Sequence, residues 1–233
     1  RDEKGKDVKY STSKLPNAKP LYSPRVGFNW DVFKNNETRL RGGSGIFTGQ
    51  PAYVWISNQI GNNGVLTGYE RLDGSASSPL YSRPFNPNPD AYKPSNISGD
   101  PASYYELALT DPNFKFPQIW RTNLAVDQKL PFDIIGSLDF IYDKDVNGIY
   151  YINANLPAPD SYFAGPDNRP RWSSNRINGN ISNAVVLKNE NKGYAWNIAA
   201  SLEKVFNKGF YGKAGCSYGI SKNTVDPTSI ASA

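Results

Sequence analysis

The sequence predicts an all-β chain: about six strands of an antiparallel transmembrane β-barrel, with long loops gathered on one side. Three observations carry that reading. Apolar and polar residues alternate over arms of roughly ten residues, the length of a tilted membrane-spanning strand, whereas soluble strands usually run about five or six. The arms pair into hairpins whose short turns all lie on one side while two very long connections lie on the other, an asymmetry expected of outer-membrane barrels. Hydrophobic residues make up only 38% of the 233 residues, and mean hydropathy is -0.58. A barrel with a polar lumen and wet loops tolerates that composition, whereas no run approaches the ~18 apolar residues of a transmembrane helix.

Residues 1–22 hold charges, Ser and Pro with little periodicity and are expected to be loop, with a short strand around Val8 to Ser11. In the first hairpin, residues 24–48, Val26, Phe28, Trp30 and Val32 alternate with Arg25, Gly27, Asn29 and Asp31. A polar turn at Lys34 to Glu37 leads into a return arm, where Thr38, Leu40, Gly42, Ser44 and Ile46 oppose Arg39, Arg41, Gly43, Gly45 and Phe47. The connection 49–116 is rich in Pro, Gly, Asn, Ser and Tyr. A compact soluble domain has little use for so long an irregular stretch, but the outer face of a barrel has.

The second hairpin, 118–143, sets Trp120, Thr122, Leu124 and Val126 against Arg121, Asn123, Ala125 and Asp127. It turns at Gln128 to Asp133 and continues with Ile134, Gly136, Leu138, Phe140 and Tyr142 against Ile135, Ser137, Asp139, Ile141 and Asp143. Residues 144–192 form the second long connection, with a short strand at Ala184 to Leu187. In the third hairpin, 194–221, Tyr194, Trp196, Ile198, Ala200 and Leu202 oppose Ala195, Asn197, Ala199, Ser201 and Glu203, and after N-K-G the even residues Phe210 to Ile220 oppose the odd ones.

One face of each hairpin is apolar and faces lipid in this reading. The other lines the lumen with Arg25, Asn29, Asp31, Arg39, Arg41, Arg121, Asn123, Asp127, Asp139, Asn197 and Glu203. Aromatics gather toward strand ends, where interfacial girdles sit. The competing class is a soluble extracellular β-sandwich that binds glycans, which would bury every apolar face against a second sheet and keep the loops short at both ends.

Composition narrows the chemistry. The net charge of +5 is spread among 21 acidic residues without a basic stripe, so no nucleic acid partner is expected. The chain has no histidine and a single cysteine, Cys216, so zinc, internal disulfide and His-based triads drop out. Its abrupt start at Arg1 and end at Ala233 point to a piece of a longer polypeptide.

Gly42-Gly43-Ser44-Gly45-Ile46 misses the G-x-S-x-G elbow at its last position, and its glycines suit a bend in a barrel wall. Asp139 and Asp143, four residues apart on one strand face, are separated by roughly 13 Å, too far for a glycosidase pair. D-K-D-V-N-G places Asp143, Asp145 and Asn147 where a calcium loop has its first ligands, but Ala154 stands at position 12, and a turn accounts for the same residues. No enzyme activity and no cofactor are expected. The loops offer a binding surface instead: Tyr53, Trp55, Asn58, Gln59, Tyr69, Arg71 and Tyr81 in the first, and Tyr150, Tyr151, Arg171 and Trp172 in the second, combine flat rings with hydrogen-bonding groups. Tyr92, Tyr162 and Phe163 extend the same surface.

The segments Y-S-T-S-K-L-P, L-Y-S-P-R-V-G-F-N-W-D-V, L-R-G-G-S-G-I-F-T-G-Q-P-A-Y-V-W-I-S-N-Q, F-K-F-P-Q-I-W-R-T-N-L-A-V-D-Q-K-L-P and I-Y-D-K-D-V-N-G-I-Y-Y-I-N-A-N-L resemble the barrel of TonB-dependent outer-membrane receptors, in particular the Oar-like, SusC-related group. The resemblance covers roughly residues 10 to 220. It implies a 22-stranded barrel with an N-terminal plug and import of a large ligand, such as a glycan, peptide or metal chelate, driven by a TonB complex. It also implies as partners the remainder of the barrel and its plug, the lipid bilayer, and in some relatives a surface lipoprotein lid. The plug and the TonB-contacting segment are absent from this sequence, so the whole of 1–233 is expected to be part of one barrel domain.

Overall fold

The computed structural model describes residues 1–2, 4–65, 83–93, 105–173, 176–207 and 209–224. In chain order its elements are β1 (Arg25–Asp31), β2 (Thr38–Thr48), α1 (Val54–Gly61), β3 (Tyr105–Thr110), β4 (Gln118–Leu130), β5 (Ile134–Asp145), β6 (Gly148–Asn153), β7 (Ser161–Tyr162), β8 (Pro170–Arg171), β9 (Ile181–Glu190), β10 (Tyr194–Asn207) and β11 (Phe210–Lys222). The six long strands form one sheet in the order β1-β2-β4-β5-β10-β11, antiparallel at every step.

The three short turns lie at one end of this wall. Lys34 (φ 58°) and Asn36 (φ 59°) turn the first, Phe132 (φ 65°) and Asp133 (φ 56°) the second, and Gly209 (φ 82°) the third. Among the described residues the sheet does not close on itself, and β1 and β11 each have a neighbour on one side only.

Register fixes the two faces. Reading across the strands, one row runs Phe28, Gly42, Leu124, Phe140, Ile198, Tyr218, and the next runs Trp30, Leu40, Val126, Leu138, Ala200, Cys216. These side chains form an apolar face with no second sheet over it: Leu124, Ile198 and Leu202 are 48%, 44% and 53% exposed. A sandwich would have buried them, so the glycan-binding sandwich is not the architecture of this chain.

At the other end of the wall the described parts of the two long connections, expected as loops, include regular structure. They combine into a cap: a three-stranded sheet of order β3-β9-β6, with β3 parallel and β6 antiparallel to β9. Leu109, Ala154, Ala184 and Val186 make its buried core, with Tyr10, Leu107, Ile152 and Ile181 packed around them. The short strand expected at Ala184 to Leu187 is the middle of the longer β9. No strand forms at Val8 to Ser11, where Tyr10 contributes its ring to the core instead.

Gln118 joins wall to cap. It is 6% exposed, and its amide nitrogen donates to the Tyr22 carbonyl (3.1 Å) and to Thr48 Oγ1 (2.9 Å), while its Oε1 accepts from Asn147 Nδ2 (2.7 Å). A buried amide with three hydrogen bonds made is costly to remove, so Gln118 ties the N-terminal segment, the end of β2 and the β5–β6 turn together where wall meets cap.

Candidate ligand-binding site

The cap holds a cleft of about 570 Å³. Tyr150 to Asn153 of β6 line it, with Leu156 to Pro159, Pro170, Trp172 and, from the N-terminal segment, Arg1, Asp2, Lys4 and Gly5. Ring faces and proline rings thus meet charged tips, a mixture suited to ligands with both apolar faces and polar edges.

The cleft is held open by hydrogen bonds made before any ligand arrives. Asn155, 5% exposed, donates to the carbonyls of Asn178 (3.0 Å) and Ile181 (2.6 Å) and accepts from the Asn178 amide (2.9 Å), fixing the turn after β6 to the start of β9. The indole of Trp172 donates to the Pro157 carbonyl (3.0 Å), and Asp160 accepts from both the amide and hydroxyl of Ser173 (2.7 and 2.6 Å). Trp55 meets Tyr151 edge to face at 6.0 Å, and burial pushes the Tyr151 phenol up from its ordinary value. Asp2 accepts from the amides of Lys6 (2.8 Å) and Lys4 (3.0 Å), which hold its carboxyl below the usual range. Beside the cleft, the β7–β8 ribbon sets the Phe163 ring near the guanidinium groups of Arg169 (5.9 Å) and Arg171 (5.7 Å).

The residues nominated from sequence are distributed unevenly. Tyr150, Tyr151 and Trp172 line the cleft, and Arg171 flanks it in β8. Trp55 packs on Tyr151, and Tyr53 is exposed, edge to face with Phe116 at 6.3 Å between ring centres. Asn58 is in α1, where its carbonyl accepts from the Asn62 amide (2.7 Å). Tyr69, Arg71 and Tyr81 lie outside the described residues.

Gln59 is a correction. It is fully buried, donating to the carbonyls of Thr12 (2.9 Å) and Lys14 (2.7 Å) and accepting from the Thr110 amide (2.8 Å), so it straps the N-terminal segment to α1 and β3 and cannot meet a ligand. Of the weak calcium candidates, Asp143 is held by Arg121 and Asn147 by Gln118, and Asp143 and Asp145 belong to the extended strand β5. Among the described residues no cluster of three or more His, Cys, Asp or Glu could hold a metal. Sequence reasoning missed Arg1, Asp2, Lys4 and Asn155. The first three sit in a stretch without periodicity, and Asn155 could be singled out only by knowing which carbonyls fold over it.

Beneath the cap, the second face of the wall is polar. Register places Arg25, Asn29, Asp31, Arg39, Arg41, Arg121, Asn123, Asp127, Asp139, Asn197 and Glu203 on it together. Arg41 bridges three strands, donating to Asp127 (2.9 Å) and Asp139 (3.0 Å), and Ser137 also donates to Asp127 (2.7 Å). Arg121 forks onto Asp143 (2.6 and 3.0 Å), and Lys213 pairs with Glu203 (3.0 Å). Apart from Arg41–Asp139, which reaches across β4, these are pairs across neighbouring strands, the sheet's unit of lateral cohesion.

A family model described as an outer membrane beta barrel domain matches residues 3–232. A comparison with curated proteins finds no match.

Proposed function

Because the chain belongs to the outer membrane beta barrel domain family and resides in the outer membrane of a Gram-negative bacterium, we propose that it is part of the barrel wall of a TonB-dependent receptor that binds and imports a large ligand. The observation that carries this reading is the pairing of a wall with one apolar and one polar face to a folded cap with a pre-built cleft. The apolar face meets lipid, the polar face lines the lumen, and the cap stands at the cell surface. Open edges at β1 and β11 require further strands, since unpaired backbone is not tolerated in hydrocarbon. The remainder of the barrel and its plug supply them and the energy coupling, with a TonB complex behind the plug and a lipoprotein lid as a partner over the cap. Catalysis has no part in the reading.

The sequence resemblance to Oar-like receptors supports the finer assignment, and the cleft's rings beside charged tips suit a glycan, peptide or chelate. The test is uptake. Cells lacking the gene are compared with their parent for consumption of oligosaccharides and peptides from the medium, with and without a protonophore. The expected result is a class of large solute consumed only by energised parent cells and restored by the intact gene but not by one carrying Trp172→Ala. Consumption independent of the gene or of the proton-motive force would refute active import.

A further inference from the structure

The cap sheet, of order β3-β9-β6, ends in two edge strands with different surroundings. The outer edge of β3 is covered: the Ala108 amide donates to the Asn62 carbonyl (3.4 Å) and the Thr110 amide to Gln59 Oε1 (2.8 Å). The outer edge of β6 is not. At the end of the β6–β9 ladder the Ala154 amide donates to the Ala184 carbonyl (2.7 Å). Alternation along an antiparallel pair then turns the backbones of Ile152 and Tyr150 toward their partners Val186 and Lys188, and those of Tyr151 and Asn153 away from β9. The Asn153 carbonyl accepts from the Leu156 amide (3.3 Å). Among the described residues, the Tyr151 N–H, the Tyr151 carbonyl and the Asn153 N–H meet no protein group.

This edge opens into the cleft. Tyr150, Tyr151, Ile152 and Asn153 all line it, and consecutive strand residues, whose side chains alternate between faces, share one cavity where it runs along the strand's edge. Nothing in G-I-Y-Y-I-N blunts that edge: it carries no charge and no proline, and its pairing with β9 runs without a bulge. Natural edge strands usually have one of these protections. Pro157, Pro159 and Pro170, which also line the cleft, have no N–H to offer the Tyr151 carbonyl, and the Trp172 indole N–H is committed to the Pro157 carbonyl (3.0 Å). The edge is complementary to a chain whose N–H and C=O groups repeat at two-residue intervals of ~6.8 Å. A polypeptide has that repeat, and the hydroxyls of a glycan do not.

We propose that the cleft binds an extended peptide by strand addition, with the peptide backbone pairing along β6 at Tyr151 and Asn153. Such a site rests on the receptor reading above and narrows the imported ligand to peptides. Main-chain bonds supply the affinity, so many sequences are accepted, and the rings of the cleft set a preference at alternate peptide positions.

The test uses the full-length polypeptide purified from outer membranes in non-ionic detergent. The probes are a pool of fluorescent, end-blocked hexapeptides of randomised sequence, and the same pool N-methylated at two adjacent central residues so that both peptide edges are blocked. The unmethylated pool should bind, and methylation should weaken it by about tenfold or more, because backbone bonds to β6 are lost. The Tyr151 and Asn153 amides should exchange hydrogen rapidly in the unliganded protein and become protected on binding. Tyr151→Pro removes a donor that faces away from β9 and leaves the ladder intact, so it should weaken the pool about tenfold more than Tyr151→Ala does. Failure of the pool to bind, its displacement by maltohexaose, or equal binding of the methylated pool would overturn the proposal even if the proline variant failed to fold. Protection of both amides before peptide is added would also overturn it, since another segment of the polypeptide would then occupy the edge. Any of these results with gene-dependent, energised uptake of a large solute intact would sink strand addition alone. Binding and protection as expected, without such uptake, would overturn import and leave the peptide site standing.

Discussion

The assignment of faces makes a quantitative prediction at Leu138. Along β10 the aromatic residues Trp196 and Phe206 stand ten residues apart near the two ends of the strand. Ten residues at ~3.3 Å each make about 33 Å of strand, and a tilt of about 40° reduces this to about 25 Å of depth, the height of an outer-membrane apolar band. Leu138 is four residues from Tyr142, which pairs with Trp196, so it lies about 10 Å below the upper belt and within a few Å of the midplane. It is 49% exposed on the apolar face.

Leu138→Lys therefore places an ammonium near the bilayer centre and should cost about 2–4 kcal/mol, or about 30- to 1000-fold in the folding equilibrium. The depth-matched control is Ser217→Lys, one residue from the Cys216 partner row but on the polar face, where the ammonium meets the lumen. It should change stability by less than about 0.5 kcal/mol. The assay is equilibrium unfolding of the full-length protein from liposomes in denaturant. A one-residue slip in register would exchange the two faces and reverse the order of the variants. Equal losses, or a larger loss for Ser217→Lys, would refute the assignment.

Two further outcomes follow from the cap. Gln59→Leu removes three hydrogen bonds and strands the buried Thr110 amide, so it should cost about 3 kcal/mol within the cap and expose the segment before β1 to protease; unchanged hydrogen exchange at Thr110 would refute the strap. Burial raises the Tyr151 phenol above its ordinary 10.0, so its contribution to cap stability is complete below about pH 10 and is lost as pH rises through the folded value. Tyr151→Phe should therefore flatten the loss of stability in that alkaline window, and an identical profile with and without the phenol would count against its burial.

The wall was legible in the sequence because its information is local. Alternation at Val26, Phe28 and Trp30, or at Trp196, Ile198 and Ala200, states both the strand and its buried or lipid-facing side within a few residues. The cap was not, because its information is distant. The pairing of β3 with β9 brings Leu107 beside Ala184 in parallel register, and nothing in either segment names the other. Gln59 was misassigned for the same reason: an amide in a loop sequence looks available until the carbonyls of Thr12 and Lys14 are found on it. Tyr150, Tyr151 and Trp172 could be nominated from composition alone, since large rings with polar tips seldom lie idle in a long connection.

The charge pattern of the polar face bears on how a large solute could pass it. The cations there, Arg25, Arg39, Arg41, Arg121, Lys129 and Lys213, equal in number the six carboxylates Asp31, Asp127, Asp139, Asp143, Asp145 and Glu203, and Arg41, Arg121 and Lys213 are already committed to acids on other strands of the wall. A wall of unmatched arginines would hold an anionic ligand tightly and release it slowly, whereas paired charges present dipoles that a solute can exchange with water at little cost. On the import reading proposed above, selection would belong to the cap, where rings and charged tips share a cleft, and passage to the wall. That division requires the ion pairs to remain made in the wet lumen. Their arrangement meets the requirement, because Arg41 contacts two carboxylates and Arg121 grips Asp143 with two nitrogens, so that breaking one bond leaves another in place.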